Sequence, residues 1–231
     1  MSMRRRSETA ALAALLACAP VLTETLAAQH VVDRGTLLIT QQGELVGRED
    51  FVVERGRRSG APDGFTIASV VSYPAERPTR RLTSVLEFGP DSQPAATRVD
   101  AEDGELRRVL IRLGPRRVTV RVVTPTGEAA REYPSAPRHL VLDDSLFAPH
   151  AVALPAPAGP VHSITLREGI RGSAEVTDHG SDATAVGATQ RTLHHVSVTA
   201  GGERRDLWYD ELGRLVKLAI PGRGLTAVRS P

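Results

Sequence analysis

The chain carries 231 residues, 29 basic against 27 acidic side chains, and 41% hydrophobic residues with only 3% aromatic. That near-balance leaves no global field to draw nucleic acid or an anionic membrane, and abundant Val and Leu beside 24% charged residues exclude a disordered chain. The length holds one large β domain or two small ones.

Residues 1–28 read as a removable signal peptide. Arg4, Arg5 and Arg6 open it, an apolar run extends from Thr9 to Leu22, and Leu26-Ala27-Ala28 sets a small residue before Gln29. The run is too short to span and stay, and Pro20 lies inside it. This places the mature protein in the periplasm or outside the cell, with no transmembrane segment after cleavage near Ala28. Leu15-Leu16-Ala17-Cys18 offers the competing reading of a lipoprotein acylated at Cys18. Cleavage after Ala28 removes this sole cysteine, and with it any disulfide, thiol nucleophile or Cys-based metal site.

From residue 29 onward helical periodicity nearly vanishes and period-two alternation recurs. Phe65, Ile67, Ser69, Val71 and Tyr73 share one face of a segment; Leu82, Ser84, Leu86 and Phe88 share one face of the next. Val118, Val120 and Val122 repeat the pattern, as do Ile170, Gly172, Ala174 and Val176. Turn chemistry punctuates these runs at Gln42-Gly43, Asp63-Gly64, Asp103-Gly104, Thr126-Gly127, Gly201-Gly202 and Leu212-Gly213. The expected fold is all-β and mainly antiparallel: a curled open sheet or half-barrel, a meander of about a dozen strands with little helix. Residues 29–231 form one such domain. Leu140–His150 has the pattern of a helical turn capped by Asp143 or Asp144 and stopped by Pro149. Ala151–Pro160 is a proline-rich connector, and the small, polar run from Gly180 to Gln190 is expected to be a loop.

The chemistry-bearing residues form no catalytic signature. His194 and His195 are strand neighbours and point to opposite faces, and His139, His150, His162 and His179 lack local metal spacing. Ser145 lies near Asp143, Asp144 and His150, but no G-x-S-x-G elbow surrounds it. The arginine doublets, from Arg57-Arg58 to Arg204-Arg205, are interspersed with acids and accompanied by few aromatics for stacking bases. The expectation is therefore a protein that is not an enzyme, with no metal, no cofactor and no nucleic acid. Glu49 stands out, because alternation sets it on the apolar face between Gly47 and Phe51. A carboxylate there needs a partner or a raised pKa, which an arginine of a neighbouring strand or a role as anchor in a binding cavity would supply.

Gly43-Glu44-Leu45-Val46-Gly47-Arg48-Glu49-Asp50-Phe51 and the stretch Leu207–Leu218, which contains Trp208, Asp210, Gly213, Arg214 and Leu215, together resemble exported bacterial families of unknown function. Those families have an early hairpin reading G-x-x-x-G-x-E and a late one reading W-x-D-x-x-G-R-L, and Val141–Phe147 is similar to their middle motif. The resemblance implies an open, curled antiparallel sheet like that of the periplasmic lipoprotein carriers, which hold acyl chains in the concavity. The expected role is then binding of an apolar or lipid-like ligand, with Glu49, Phe51, Phe65, Tyr73 and Trp208 as candidate lining residues. A cell-envelope protein partner and a hydrolase with a spatially assembled site are the alternatives.

Overall fold

The computed structural model describes residues 30–57, 63–102, 106–152 and 158–230. Residues 1–29, which include the expected signal peptide with Cys18 and Ala28, together with Arg58, the expected Asp103-Gly104 turn and residues 153–157 of the connector, lie outside the described residues. The strands are β1 (Val31–Gln41), β2 (Glu44–Arg55), β3 (Phe65–Tyr73), β4 (Arg80–Phe88), β5 (Pro94–Glu102), β6 (Leu106–Leu113), β7 (Arg117–Thr124) and β8 (Gly127–Pro134). They continue as β9 (His139–Leu142), β10 (Gly159–Thr165), β11 (Arg171–Val186), β12 (Thr189–Ala200), β13 (Glu203–Tyr209), β14 (Leu215–Ile220) and β15 (Leu225–Arg229). Beyond these there are two short 3-10 turns, at Ala148–His150 and Pro221–Arg223. No helix among the described residues is long and apolar enough to cross a membrane.

All fifteen strands belong to one sheet, in the order β8-β7-β6-β5-β4-β3-β2-β1-β15-β14-β13-β12-β11-β10-β9. The chain starts in the middle, walks out to β8, passes to the opposite edge, and walks back until β15 pairs with β1. Every pairing is antiparallel except β9 with β10, which the long crossover between them permits. The antiparallel sheet expected from alternation is thus present. It has more strands than expected because β8 is exposed along nearly its whole length and β9 has 4 residues, so neither shows a two-faced pattern.

One connection dictates the curvature. A flat sheet of this many strands, spaced about 4.8 Å apart, would hold its edges about 67 Å from each other. Yet β8 and β9, the two edges, are joined only by residues 135–138, which span at most about 18 Å even when extended. The sheet must therefore bend round until its edges approach. Tyr133 on β8 donates its hydroxyl to the Gly169 carbonyl in the β10–β11 turn at 3.1 Å, tying one edge region to the other. The two edge strands are not paired with each other, so the barrel stays open.

Alternation then decides what lies inside. Leu37, Ile39, Val53, Ile67, Val71, Leu82, Leu86, Val109, Ile111, Val118, Val198, Leu207, Leu218 and Ala227 are buried in one continuous core. The tight β1–β2 and β12–β13 turns use positive φ at Gln42 and Gly43 and at Gly201 and Gly202, as the turn chemistry required. The Gly180–Gln190 run is not a loop: it forms the outer half of the β11–β12 hairpin, bent by a bulge between Asp178 and Gly180. Backbone pairing needs no apolar side chain, which is why composition misleads there. A second, smaller cluster of Leu193, Trp208 and Val216 lies on the other side of the sheet, with Val186 of this hairpin packed against it.

Closure can be tested at Gly169, whose φ is +62° and where a Cβ would collide with the Val120 side chain of β7. Gly180 has a similar φ of +71° but open space around it. In urea denaturation Gly169→Ala is expected to cost about 2–3 kcal/mol and Gly180→Ala about 1 kcal/mol, the difference being the clash across the closing edges. Equal losses would mean that the edges do not meet at this turn.

Candidate functional site: the filled concavity and its buried carboxylate

The crossover from β9 to β10 does not run over the surface. Leu142, Asp143, Ser145, Leu146, Phe147, Ala148, Pro149, His150 and Ala151 are all buried, and their apolar members belong to the same core as the strands. The segment 143–152 is a strap lying within the curl of the sheet. Expected as a helical turn that Pro149 stops, it contains a 3-10 turn in which proline is an opening residue and no side chain caps the start. Proline fits there because its missing N–H would have no partner in the first turn anyway. Asp143 instead accepts the backbone N–H of Ser145 at 2.7 Å and the Nε of Arg167 at 3.1 Å.

An irregular segment inside a sheet carries backbone N–H groups into a place without water, and these need acceptors. Glu49 provides them. It is 0% exposed, and one carboxylate oxygen accepts the N–H of Phe147 at 2.7 Å and that of Ala148 at 3.1 Å. The other accepts the hydroxyl of Ser69 at 2.7 Å, and Ser69 lies 2.9 Å from the hydroxyl of Ser84. The arginine partner anticipated from the sequence is absent from this set: the carboxylate anchors the strap through backbone amides and serines. Burial pushes the Glu49 pKa up to about 7, with these hydrogen bonds opposing the rise. The serine pair suits both protonation states, since the chain Ser84–Ser69–Glu49 can run in either direction.

Gly47 and Tyr73 complete the seat. A Cβ at Gly47 would overlap the Tyr73 ring, so glycine leaves room for that ring to lie flat across β2. Tyr73 then donates its hydroxyl to the Ser145 carbonyl at 3.0 Å, and Arg80 donates to the Ser145 hydroxyl at 3.2 Å. Burial raises the Tyr73 pKa far above its ordinary value, keeping it a donor. The G-x-E spacing of the early hairpin thus receives a physical meaning, as a groove for Tyr73 beside a carboxylate for the strap. On the far side, Arg205 pairs with Asp144 at 2.6 Å and Leu215 donates its N–H to Ala151 at 3.1 Å.

The remaining candidates separate. Phe51 faces the interior, with the Arg229 guanidinium 5.3 Å from its ring centre. Phe65 stacks on Phe88 with centroids 4.6 Å apart, at the margin of the core. Trp208 is on the opposite side from the other four: adjacent to the inward Tyr209, it lies in the second cluster, 8% exposed. There it forms part of a ladder in which His179, His195 and Trp208 stack at 4.4 and 4.7 Å and the Lys217 ammonium sits 4.6 Å from the indole centre. Asp206 holds His195 Nε2 at 2.9 Å. The polar positions Ser69 and Ser84 on otherwise apolar faces were the sequence signal for the carboxylate's partners.

No grouping of His, Cys, Asp and Glu among the described residues is arranged to hold a metal. Nor does the strap assemble a serine nucleophile. The Ser145 hydroxyl is bonded by Arg80, and neither ring nitrogen of buried His150 has a partner among the described residues. Burial pulls the His150 pKa down to about 3.

No family model matches the chain, and no curated protein matches it. Among solved structures it is similar to the β-barrel-like protein of domain of unknown function DUF1849 from Brucella abortus, with a TM-score of 0.51 and 12% sequence identity. The match covers 87% of this chain and 96% of that one. At such identity the likeness establishes a shared curled β fold and nothing about a ligand.

The carboxylate gives a signed expectation. A folded-state pKa raised from 4.5 to about 7 means that the Glu49 contribution to stability is full below pH 4.5 and lost as pH rises to 7. Glu49→Gln keeps an acceptor for the two amides and a donor for Ser69 without the charge. The stability of the Gln variant minus that of the wild type should therefore climb between pH 4.5 and 7, by about 3 kcal/mol, and be flat above. His150 also titrates abnormally but is common to both proteins and cancels in the difference, while the nearby Asp143 carboxylate adds a small repulsive contribution to the rise at Glu49. A difference independent of pH would contradict the buried, isolated state of this carboxyl.

Proposed function

We propose that this is an exported, non-enzymatic binding protein whose curled sheet accepts an apolar or lipid-like guest in the place the strap occupies. The observation that supports it is the nature of the strap's lodging. The inner face of the sheet is apolar, and what fills it is an irregular segment held by scattered polar contacts around one carboxylate rather than by a strand ladder. An apolar concavity closed by its own chain is a site with an internal substitute for the ligand. Among the described residues, the small pocket between Phe88, Leu140, Val141 and Val176, of about 30 Å³, has room for roughly one water. A guest therefore enters by displacing Leu146, Phe147 and Ala148. Export rests on the leader-like residues 1–28.

The test is uptake of N-phenyl-1-naphthylamine, which brightens in apolar surroundings. Glu49→Ala deletes the anchor and Phe147→Ala shortens the strap's largest side chain, so both are expected to bind the probe about tenfold more tightly than the wild type while keeping a β-sheet circular dichroism spectrum. Folded variants that take up no more probe than the wild type would overturn the reading. If Glu49→Ala unfolds, Phe147→Ala carries the test alone.

A further inference from the structure

The strap shows what its seat accepts. The side chains of Leu146 and Phe147 are 0% and 1% exposed and belong to one core with Val71, Leu82 and Leu86 of the inner face. At the same point of the chain, the amides of Phe147 and Ala148 direct their hydrogens at one oxygen of Glu49. Hydrocarbon on one side and a pair of N–H donors on the other is the pattern of an amphiphile with a donating head.

A guest in this place takes both amides away from Glu49. Ser69 remains, but its hydroxyl serves the other carboxylate oxygen. The carboxylate is fully buried, and an oxygen of a buried charged group left without a donor costs more than an ordinary hydrogen bond returns. Among the described residues, the cations that hold the start of the strap are engaged ahead of the displaced part. Arg80 bonds the Ser145 hydroxyl, beside the Tyr73 hydroxyl on the Ser145 carbonyl, and Arg167 bonds Asp143. An anionic head would have to break one of these pairs to find a positive partner. It would also stand against Glu49 and in the field of Asp143, whose charge already contributes to the rise of the Glu49 pKa. A head that only accepts hydrogen bonds, such as an ester, leaves the Glu49 oxygen bare.

We infer that the guest is an amphiphile with a nitrogen head, a primary carboxamide or an ammonium, which donates N–H bonds to Glu49 while its hydrocarbon replaces Leu146 and Phe147. This rests on the reading that the interior admits an apolar guest, and adds to it the chemistry of the head. Either head has at least two hydrogens on one nitrogen, matching the pair that the strap supplies. Fatty acids, phosphate-headed lipids and esters are selected against, because each brings a charge or a lone pair where the seat needs a donor.

The experiment is competition against N-phenyl-1-naphthylamine bound to Phe147→Ala, at about pH 8, above the Glu49 midpoint. The competitors share a ten-carbon chain and differ in the head: decanamide, decylamine, N,N-dimethyldecanamide, methyl decanoate and decanoate. Decanamide and decylamine are expected to displace the probe at concentrations at least about tenfold lower than the other three, the fold-change that one hydrogen bond to a charged group supplies. Adding Glu49→Gln to Phe147→Ala should bring decanoate within about threefold of decanamide, since the glutamine amide donates to a carboxylate and has no charge to repel it. Decylamine should lose its advantage in the same variant. Equal displacement by all five, decanoate as the strongest competitor, or an order unchanged by Glu49→Gln would overturn the assignment of the head and leave the interior site standing. Failure of Phe147→Ala to take up the probe would overturn the interior site, and the head assignment with it.

Discussion

Two backbone amides, those of Phe147 and Ala148, point into the interior of a curled sheet and end on a single carboxylate. Much of the molecule is arranged around that contact. A sheet bent until its edges nearly meet encloses a volume that side chains from its own strands do not fill, because most of those that point inward are Val, Leu, Ala and Ser with few aromatics. The strap fills it. Its irregular backbone is tolerable only because Glu49, Tyr73, Arg80 and Arg167 reach it from the surrounding strands and turns. The cost is a buried carboxyl whose pKa is driven up to about 7, which the serine pair and the amides limit without abolishing.

The sheet's sidedness sorts the rest. Residues of one parity face the strap, and those of the other face water, except where the β11–β12 hairpin bends over the outer face. That hairpin makes a second dry region around Trp208 and explains how an indole can be buried without touching the interior. It also builds one wall of a surface groove beside β1. The fold thus presents two chemically different places: an apolar interior occupied by its own chain, and an arginine-lined groove outside.

Alternation made the strands legible, since Ile67, Ser69 and Val71 or Leu82, Ser84 and Leu86 reveal their dry side without any structure. It also placed Glu49 inside. What single residues do not reveal is the identity of a partner brought from far along the chain: Phe147 and Ala148 are about a hundred positions from Glu49, and backbone amides leave no mark in a sequence. The arginine expected beside Glu49 is chemically reasonable but needs volume that Tyr73 and the strap take. Trp208, expected to line the concavity, lies on the other side while Tyr209 turns inward; both are bulky and their strand is buried on both faces, so alternation does not tell them apart. The strap itself was hidden by its prolines and aspartates, which read as a capped helical turn and a stiff connector when they stand for a segment surrounded by strands.

The central claim is that the Glu49 carboxyl and the amides of Phe147 and Ala148 form one buried unit. Carbon-detected NMR of the Glu49 side-chain carboxyl, recorded through a pH series together with the amide shifts of Phe147 and Ala148, reads it directly. All three signals should titrate with one shared midpoint near pH 7, and both amides should exchange slowly with solvent. A Glu49 midpoint in the ordinary carboxylate range, or amides that exchange as fast as those of an exposed loop, would show that the strap is not anchored inside the sheet.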